Sequence, residues 1–188
     1  MKDQPPLSFK DREVFRRWLE KRHTQGEAVW LLFDKTPART TLSYTEALEE
    51  ALCFGWIDGQ VKSLDERFWI RKFSPRRKRS TWSVKNRQLV EKLMIEGRMA
   101  PAGLAAVERA RAEGTWDRER ELMAGADSGV LEGLLSAFPA EKEKYRSFPP
   151  SLRRQYSMFY LDAKTPETRR RRLEKIVEGI REDRKLLW

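Results

Sequence analysis

Residues 43–83 constrain the fold of this chain more than any other stretch, because helix, turn and strand signals follow one another there without a gap. Ser43 and Glu46 have the spacing of a capping box, in which each side chain bonds the backbone amide of the other at the start of a helix. Gly55 suits the left-handed conformation that ends a helix. The segment therefore predicts a helix between Ser43 and Gly55. Its apolar stripe is Ala47, Leu48, Ala51 and Leu52.

Three short stretches have the composition of strands. Residues 28–33 form an apolar run that is too short for a helix, which predicts a strand buried on both faces. Residues 57–63 and 67–73 flank a turn at residues 64–66, which predicts a hairpin that joins the first strand. We therefore predict an α+β fold with a small, mainly antiparallel three-stranded sheet surrounded by helices.

Amphipathic patterns and capping residues predict further helices before and after the hairpin. These are residues 9–22, a helix capped by Ser80 or Ser83 that stops at Gly97, and a helix that begins at Pro101 and ends before Gly114. Residues 115–129 contain acids and glycine without a clear period, which is typical of a linker.

The C-terminal part of the chain reads as helical. Residues 130–138 predict a short helix, Ser151 is placed to cap a second, and Thr165 with the proline after it opens the last. The last two helices are expected to form a helical hairpin. We therefore predict a core domain over residues 9–114 and a C-terminal helical region over residues 130–185 packed on it, with one single domain as the alternative.

Charge and composition narrow the classes of partner and cofactor. The net charge of +10 favours an anionic small molecule, nucleic acid or anionic lipid, although a solvated, arginine-rich surface would give the same charge. One Cys and one His exclude an internal disulfide and a multi-histidine metal site, and no cofactor motif is present. No apolar run approaches the length of about 18 residues that a membrane span needs. Residues 1–10 lack the apolar region of a secretory signal, so we expect a soluble, cytoplasmic protein.

The single cysteine is the first candidate for chemistry. Cys53 shares a helix side with Glu46, Glu49 and Glu50, whose carboxylates would raise the pKa of the thiol. A nucleophilic cysteine needs the opposite, a base or a nearby cation. The favoured interpretation is a buried structural thiol. His23, the only histidine, is expected to complement the negative end of the first helix rather than to act as the base.

Asp58 is the better candidate for a functional carboxylate, since Asp65 is explained as a turn residue. Asp58 follows a helix end at a point where the backbone can approach a ligand. An ion pair with Arg71 or Arg76 is nevertheless favoured over catalysis. An enzyme built on this chain would use Asp58, Glu46 or Cys53 with Tyr44 or Lys35.

Basic and aromatic residues alternate after the hairpin. Residues 71–87 contain eight Lys and Arg and no Asp or Glu. Cationic side chains beside a helix N-terminus favour an anion, and nearby Trp rings are able to stack on a ligand ring. A solvated basic loop anchored by Trp residues in the core is an equal alternative. The predicted ligand-binding residues are Asp58, Trp69, Arg71, Arg76, Lys78, Trp82 and Asn86.

Several long motifs resemble those of the bacteriocin-protection family, also called YdeI/OmpD-associated. They are Tyr44-Thr45-Glu46-Ala47, Cys53-Phe54-Gly55-Trp56-Ile57-Asp58-Gly59, Phe73-Ser74-Pro75-Arg76, Ser80-Thr81-Trp82-Ser83 with Asn86, Gly97-Arg98-Met99, Pro101-Ala102-Gly103-Leu104, and Ala163 to Arg169. The resemblance covers about residues 13–180 and is loosest over residues 115–146. It implies a role in bacteriocin and antimicrobial-peptide protection and in envelope stress, and it implies no catalytic residue.

We therefore expect a non-enzymatic protein that binds an anionic ligand in such protection. The alternatives are a small-molecule enzyme that uses Asp58 and a nonspecific nucleic-acid-binding protein. The C-terminal hairpin offers a further surface, because Tyr156, Phe159 and Tyr160 lie on one side of its first helix and could dock a partner protein.

Overall fold

The computed structural model describes residues 5–36, 40–126 and 129–182. The chain forms two compact units, residues 1–117 and residues 118–188. Each unit has its own cluster of buried apolar side chains. The first unit contains the sheet and the second is helical, which confirms the predicted α+β fold with C-terminal helices.

The sheet has three strands: β1 (Val29–Asp34), β2 (Trp56–Ser63) and β3 (Phe68–Pro75). β3 lies in the middle and pairs antiparallel with both neighbours. The predicted hairpin and its union with the first strand are therefore confirmed. The register of β2 against β3 shifts between Asp58 and Val61.

β1 differs from the prediction of a strand buried on both faces. Leu31 and Phe33 are almost fully buried, whereas Trp30 and Leu32 on the other face are half-buried. The ammonium group of Lys62 lies 4.8 Å from the centre of the Trp30 ring and covers part of that face. A cation that packs on an aromatic ring thus takes the place of a second apolar layer.

In the described part of the first unit, four α-helices surround the sheet. They are α1 (Arg12–Arg22), which is followed by a 3-10 turn (His23–Gln25), α2 (Tyr44–Cys53), α3 (Val84–Ile95) and α4 (Pro101–Ala112). The capping box of α2 is present, because Ser43 accepts from the amide of Glu46 and Glu46 accepts from that of Ser43. α1 begins at Arg12 rather than at Phe9, because Asp11 caps it by accepting from the amide of Val14.

The end of α2 is the place where three segments of this unit meet. The amide of Ala100 donates to the Cys53 carbonyl at 3.0 Å, and the amide of Arg76 donates to the Gly55 carbonyl at 2.9 Å. Gly55 has a φ of +74°, as expected for a helix end. A Cβ atom at Gly103 would lie 2.1 Å from the Cys53 carbonyl oxygen, so only glycine allows α4 to pack this closely on α2.

The second unit consists of helices. They are α5 (Arg118–Ala126), α6 (Val130–Leu134) with a 3-10 turn (Leu135–Ala137), α7 (Pro139–Ser147), α8 (Pro150–Leu161) and α9 (Pro166–Arg181). Tyr156 is buried with Ile176 and Ile180, whereas Phe159 and Tyr160 are half-buried against the same core.

Two sequence-based predictions for these residues are wrong, and one helix was not predicted. Residues 115–129 are not a linker, because α5 forms there and packs along α8, with Arg118 paired to Asp162 at 2.7 Å. The short helix predicted over residues 130–138 is confirmed as α6 and the 3-10 turn that continues it to Ala137, and the unpredicted α7 follows it. α8 begins at Pro150 rather than after Ser151, since a proline lacks the amide that the first helical position leaves unbonded. The predicted region of residues 130–185 extends beyond the described residues.

Among the described residues, no helix is both long and apolar enough to cross a membrane.

Candidate functional site

The first cluster of buried charge lies on α2, where two adjacent carboxylates meet three arginines. Glu50 is 2% exposed and accepts from Arg98 Nη2 at 2.6 Å and from Arg16 Nη1 at 2.9 Å. Glu49 accepts from Arg98 Nη1 at 2.9 Å, and Arg12 lies 3.2 Å away. Burial opposes the charge on Arg98, but its hydrogen bonds to Glu50 and Glu49 outweigh burial and raise its pKa. Each carboxylate in this cluster is therefore matched by opposite charge.

Cys53 lies next to this cluster and is fully buried. Burial, followed by the charge of Glu50, raises the pKa of its thiol to about 11. His23 does not act on it. The His23 side chain bonds the Leu19 carbonyl through Nδ1 at 2.8 Å at the end of α1, as a C-terminal helix residue is expected to do. The thiol is protonated near neutral pH, which agrees with a structural role.

Asp58 on β2 forms the predicted ion pair with Arg71 on β3. Tyr44, the first residue of α2, donates its hydroxyl to Asp58 Oδ2 at 2.9 Å. The Arg71 guanidinium lies 4.6 Å from the centre of the Tyr44 ring. Burial and then the bond to Asp58 raise the pKa of Tyr44 to about 12, so its hydroxyl stays protonated at neutral pH. A carboxylate held by a phenol and a guanidinium is arranged for structure rather than for proton transfer.

The second cluster of buried charge is centred on Arg76, which directly follows β3. Arg76 is 8% exposed, and its guanidinium lies 3.4 Å from the centre of the Trp82 ring. Its Nη1 donates to Ser80 Oγ and to the Thr81 carbonyl, each at 3.3 Å, so the group points into the loop before α3. Its Nε is buried without an acceptor. Burial lowers the pKa of Arg76 to about 10.

Arg76 differs from the arginines around Glu50 because no carboxylate compensates it at contact distance. Among the described residues, no Asp or Glu oxygen lies within 4.0 Å of its guanidinium. Neutral oxygens accept from it instead. A charged side chain that is nine-tenths buried without a counter-ion is a costly arrangement, and an anion bound beside it would remove the cost.

Trp82 supports Arg76 from the side of the core. Trp82 is 1% exposed, and its ring centre lies 5.0 Å from that of Trp116. The guanidiniums of Arg87 and Arg111 lie 5.4 Å and 5.3 Å from the Trp116 ring. Trp82 is thus packed between the Arg76 guanidinium and Trp116, and its burial leaves no open face of the ring for stacking on a base. Trp82 therefore contributes to a ligand site by positioning the Arg76 guanidinium and does not contact the ligand itself.

The loop beyond Arg76 carries its charges to the surface. Arg77, Lys78 and Arg79 are exposed. Arg79 has a φ of +60°, and its amide donates to Glu113 Oε2 at 2.7 Å. Asn86 lies in the first turn of α3, where its amide donates to Ser83 Oγ at 3.2 Å. Lys78 and Asn86 therefore flank the loop into which the Arg76 guanidinium points.

The predicted ligand-binding residues thus separate into two groups. Asp58, Trp69 and Arg71 are linked through Tyr44, whose ring centre lies 5.9 Å from that of Trp69. Arg76, Lys78, Trp82 and Asn86 surround the loop between β3 and α3. The sequence suggested Ser80 as a helix cap and Ser80 and Thr81 as part of a motif, but it did not place them or Trp116 beside Arg76. No local pattern marks Trp116, because its contact with Trp82 depends on how the loop packs against the residues after α4.

Two family models match the chain. A model described as Domain of unknown function (DUF8412) matches residues 7–106, and a model described as Bacteriocin-protection, YdeI or OmpD-Associated (OmdA) matches residues 129–183. No curated protein and no solved structure matches. The second match confirms the family resemblance, but it falls on the C-terminal residues, whereas the resemblance had been expected to be strongest at the central motifs.

Proposed function

We propose that this chain, which belongs to the family described as a domain of unknown function (DUF8412), is a non-enzymatic protein that binds an anionic ligand. At family level, the match of residues 129–183 supports a function in bacteriocin protection. The observation that carries the proposal is Arg76, a buried guanidinium that no carboxylate among the described residues contacts within 4.0 Å, although the more distant charge of Asp58 partly offsets the lowering of its pKa by burial. The proposal includes the cytoplasmic location expected from the sequence.

The geometry around Arg76 suits a phosphate-like group. The guanidinium lies 3.4 Å from the centre of the Trp82 ring and is bonded to Ser80 and Thr81, which restricts the direction of its donors before a ligand arrives. A fixed guanidinium bonds a phosphate or carboxylate through two parallel hydrogen bonds. α3 begins eight residues later, after its cap Ser83, so the positive end of that helix adjoins the loop. The ligand class is therefore an anion with at least two acceptor oxygens.

The distribution of charge adds long-range attraction to this local geometry. Residues 71–87 carry eight Lys and Arg and no acid, whereas the rest of residues 1–117 carries fifteen Lys and Arg against seventeen Asp and Glu. The positive excess of the first unit thus lies entirely in the segment around Arg76. Such a concentration attracts anions, and it disfavours direct capture of a cationic peptide.

The catalytic alternative has less support. Its candidates were Asp58, Glu46 and Cys53 with Tyr44 or Lys35. The pKa values of the Cys53 thiol and the Tyr44 hydroxyl are raised to about 11 and about 12, so neither group is ionised at neutral pH. Asp58 is bonded to both Tyr44 and Arg71. These contacts favour binding over acid–base or nucleophilic chemistry.

The proposal is tested by titration calorimetry with inorganic pyrophosphate at low salt on the wild type and on Arg76→Met. Methionine keeps most of the apolar stem against Trp82 and removes the charge. We expect the variant to bind pyrophosphate about tenfold or more weakly, because a charge-assisted bond contributes about 1.5–3 kcal/mol. Arg17→Met is the control, since Arg17 is exposed on α1 and its removal lowers the net charge equally.

Equal losses in Arg76→Met and Arg17→Met would show that only net charge matters and would contradict the proposed site. A parallel titration with single-stranded oligothymidylate tests the nucleic-acid alternative. Tight binding of the oligonucleotide that Arg76→Met does not weaken, together with no binding of pyrophosphate, would favour that alternative. Urea denaturation of both variants shows whether either is misfolded.

A further inference from the structure

A cleft of about 600 Å³ opens in the first unit between the end of β1 and the start of α2. Its walls include Phe33, Lys35, Ser43, Tyr44 and Trp69. The volume lies in the range that small-molecule sites occupy. The cleft shares no lining residue with the Arg76 loop, so it has to be explained separately from the anion site proposed above.

The Trp69 ring forms a rigid platform in this cleft. Its centre lies 4.6 Å from that of Phe33, with 27° between the ring planes, and Tyr44 packs against it at 5.9 Å. Phe33 is 2% exposed, whereas Trp69 is half-buried and keeps part of its surface toward the cleft. No acceptor among the described residues bonds Trp69 Nε1. A ring backed by another ring in this way suits a planar aromatic ligand.

The cleft does not suit a cation. The Arg71 guanidinium already occupies a face of the Tyr44 ring at 4.6 Å. Asp34 is the carboxylate in the lining, and its oxygens accept from the amides and hydroxyls of Thr36 and Thr40 and from the Arg67 guanidinium. The Tyr44 face and the negative charge of Asp34 are therefore already engaged, and the Lys35 ammonium in the same lining would repel a cation from the open Trp69 face.

Lys35 provides the unused charge of the cleft. Its ammonium group donates to Ser63 Oγ at 3.0 Å and to the Asp65 carbonyl at 2.5 Å, and a third N–H remains. Ser63 is the direct partner of Trp69 across the β2–β3 pair, so the two side chains share one face of the sheet. The Lys35 ammonium is thus fixed on the same face as the Trp69 ring, and no carboxylate among the described residues pairs with it.

We propose that this cleft binds a small ligand with a planar aromatic ring and an acidic substituent. The ring stacks on Trp69, and the acidic group accepts the remaining Lys35 N–H. Lys35 provides the charge that selects an acidic ligand, and the Trp69 platform provides the selectivity for a flat ring. The site therefore selects its ligand by shape as well as by charge. The inference is independent of the Arg76 site, because it rests on different residues.

The test uses indole-3-acetate as the probe, with indole-3-ethanol as its uncharged analogue and cyclohexylacetate as a charged ligand without a flat ring. We expect calorimetry to show that the wild type binds indole-3-acetate more tightly than either analogue. Lys35→Met should remove the advantage of indole-3-acetate over indole-3-ethanol, a loss of about threefold to tenfold. Trp69→Leu should weaken indole-3-acetate about tenfold or more, and Trp69→Phe should retain most of the binding.

Arg17→Met serves as the matched control, because it removes an exposed cation of the same unit that does not line the cleft, and it should leave indole-3-acetate binding unchanged. Lys35 is exposed, so Lys35→Met decides the question even if Trp69→Leu fails to fold. The inference is wrong if the wild type does not bind indole-3-acetate at millimolar concentration. It is also wrong if Lys35→Met binds both indole compounds as the wild type does. Neither result would affect the pyrophosphate titration at Arg76.

Discussion

Glu50 and Arg76 are both almost inaccessible to solvent, at 2% and 8% exposure, yet their surroundings are opposite. Glu50 is bonded to Arg98 and Arg16, with Arg12 close by. Arg76 has neutral acceptors, an aromatic ring and an unbonded Nε. The two charges lie in the same unit, so the difference between their surroundings arises from the residues packed around each of them and not from the overall composition.

The difference separates a structural charge from a candidate ligand site. Removing an ion from water costs several kcal/mol, and only opposite charge and hydrogen bonds in good geometry offset that cost. The cluster at Glu50 contains its own compensation, so a bound ion would add nothing to it. At Arg76 the nearest negative charge, that of Asp58, acts from beyond contact distance, so an anion from solution would supply the missing contact. Burial alone does not identify either cluster as a functional site. Burial without a contacting counter-charge, which only the Arg76 cluster shows, favours that cluster as the ligand site.

The largest effect that would test this comparison is expected at Arg98. Arg98→Ala removes bonds to both Glu49 and Glu50 and leaves buried carboxylates with fewer partners. We expect the free energy of unfolding to fall by about 3 kcal/mol, measured by urea denaturation. Arg17→Ala, on the exposed side of α1, should change it by less than about 0.5 kcal/mol. A loss below about 1 kcal/mol for Arg98→Ala would show that the cluster is not compensated as described.

An intermediate effect is expected at Tyr44, because Asp58 retains one cationic partner when the phenol is lost. Tyr44→Phe removes the bond of 2.9 Å to Asp58 and keeps the ring under Arg71. The expected loss of unfolding free energy is about 1–2 kcal/mol, as for a hydrogen bond to a charged group. Thermal or urea denaturation of Tyr44→Phe beside Tyr160→Phe gives the measurement, because the Tyr160 hydroxyl has no bond among the described residues. Equal losses would show that the Asp58 bond contributes nothing.

The smallest effect is expected at Arg76 in the absence of phosphate-like or carboxylate anions. Arg76→Met exchanges an uncompensated buried charge for an apolar side chain of similar length, so the unfolding free energy should change by less than about 1 kcal/mol or rise. Denaturation in a chloride buffer at low ionic strength measures it. With pyrophosphate present, the wild type alone should gain stability through ligand binding. A loss of about 3 kcal/mol in chloride would make Arg76 structural, like Arg98.

Local signals were sufficient for much of the first unit. The capping box at Ser43 and Glu46, the glycine at residue 55 and the hairpin each depend on residues within a few positions of one another. The same approach failed at α5, whose residues show no clear apolar period. Short helices gain most of their stability from packing, and α5 is held by its contacts along α8. A proline at residue 139 was the available sign that α7 begins there.

For the candidate site, the sequence indicated which charges are abundant but not which of them is buried. The Asp58–Arg71 pair was predictable because the two residues lie on strands of one predicted hairpin. The contact of Tyr44 with Asp58 was not predictable in this way, because it joins a helix to a strand fourteen positions away. The burial of Arg76 depends on Trp82 folding back over it, and that depends in turn on Trp116 after α4. Such contacts arise from the tertiary fold, and no spacing in the sequence encodes them.

The close approach of Gly103 to the Cys53 carbonyl has a mechanical consequence. Ala100 and Arg76 donate to carbonyls two residues apart, one on the side of the Arg98 cluster and the other at the start of the basic loop. The end of α2 is therefore a common anchor, with no space for one attachment to slide without the other. The backbone beside the Arg98 cluster and the backbone at the start of the basic loop are thus fixed to the same helix end.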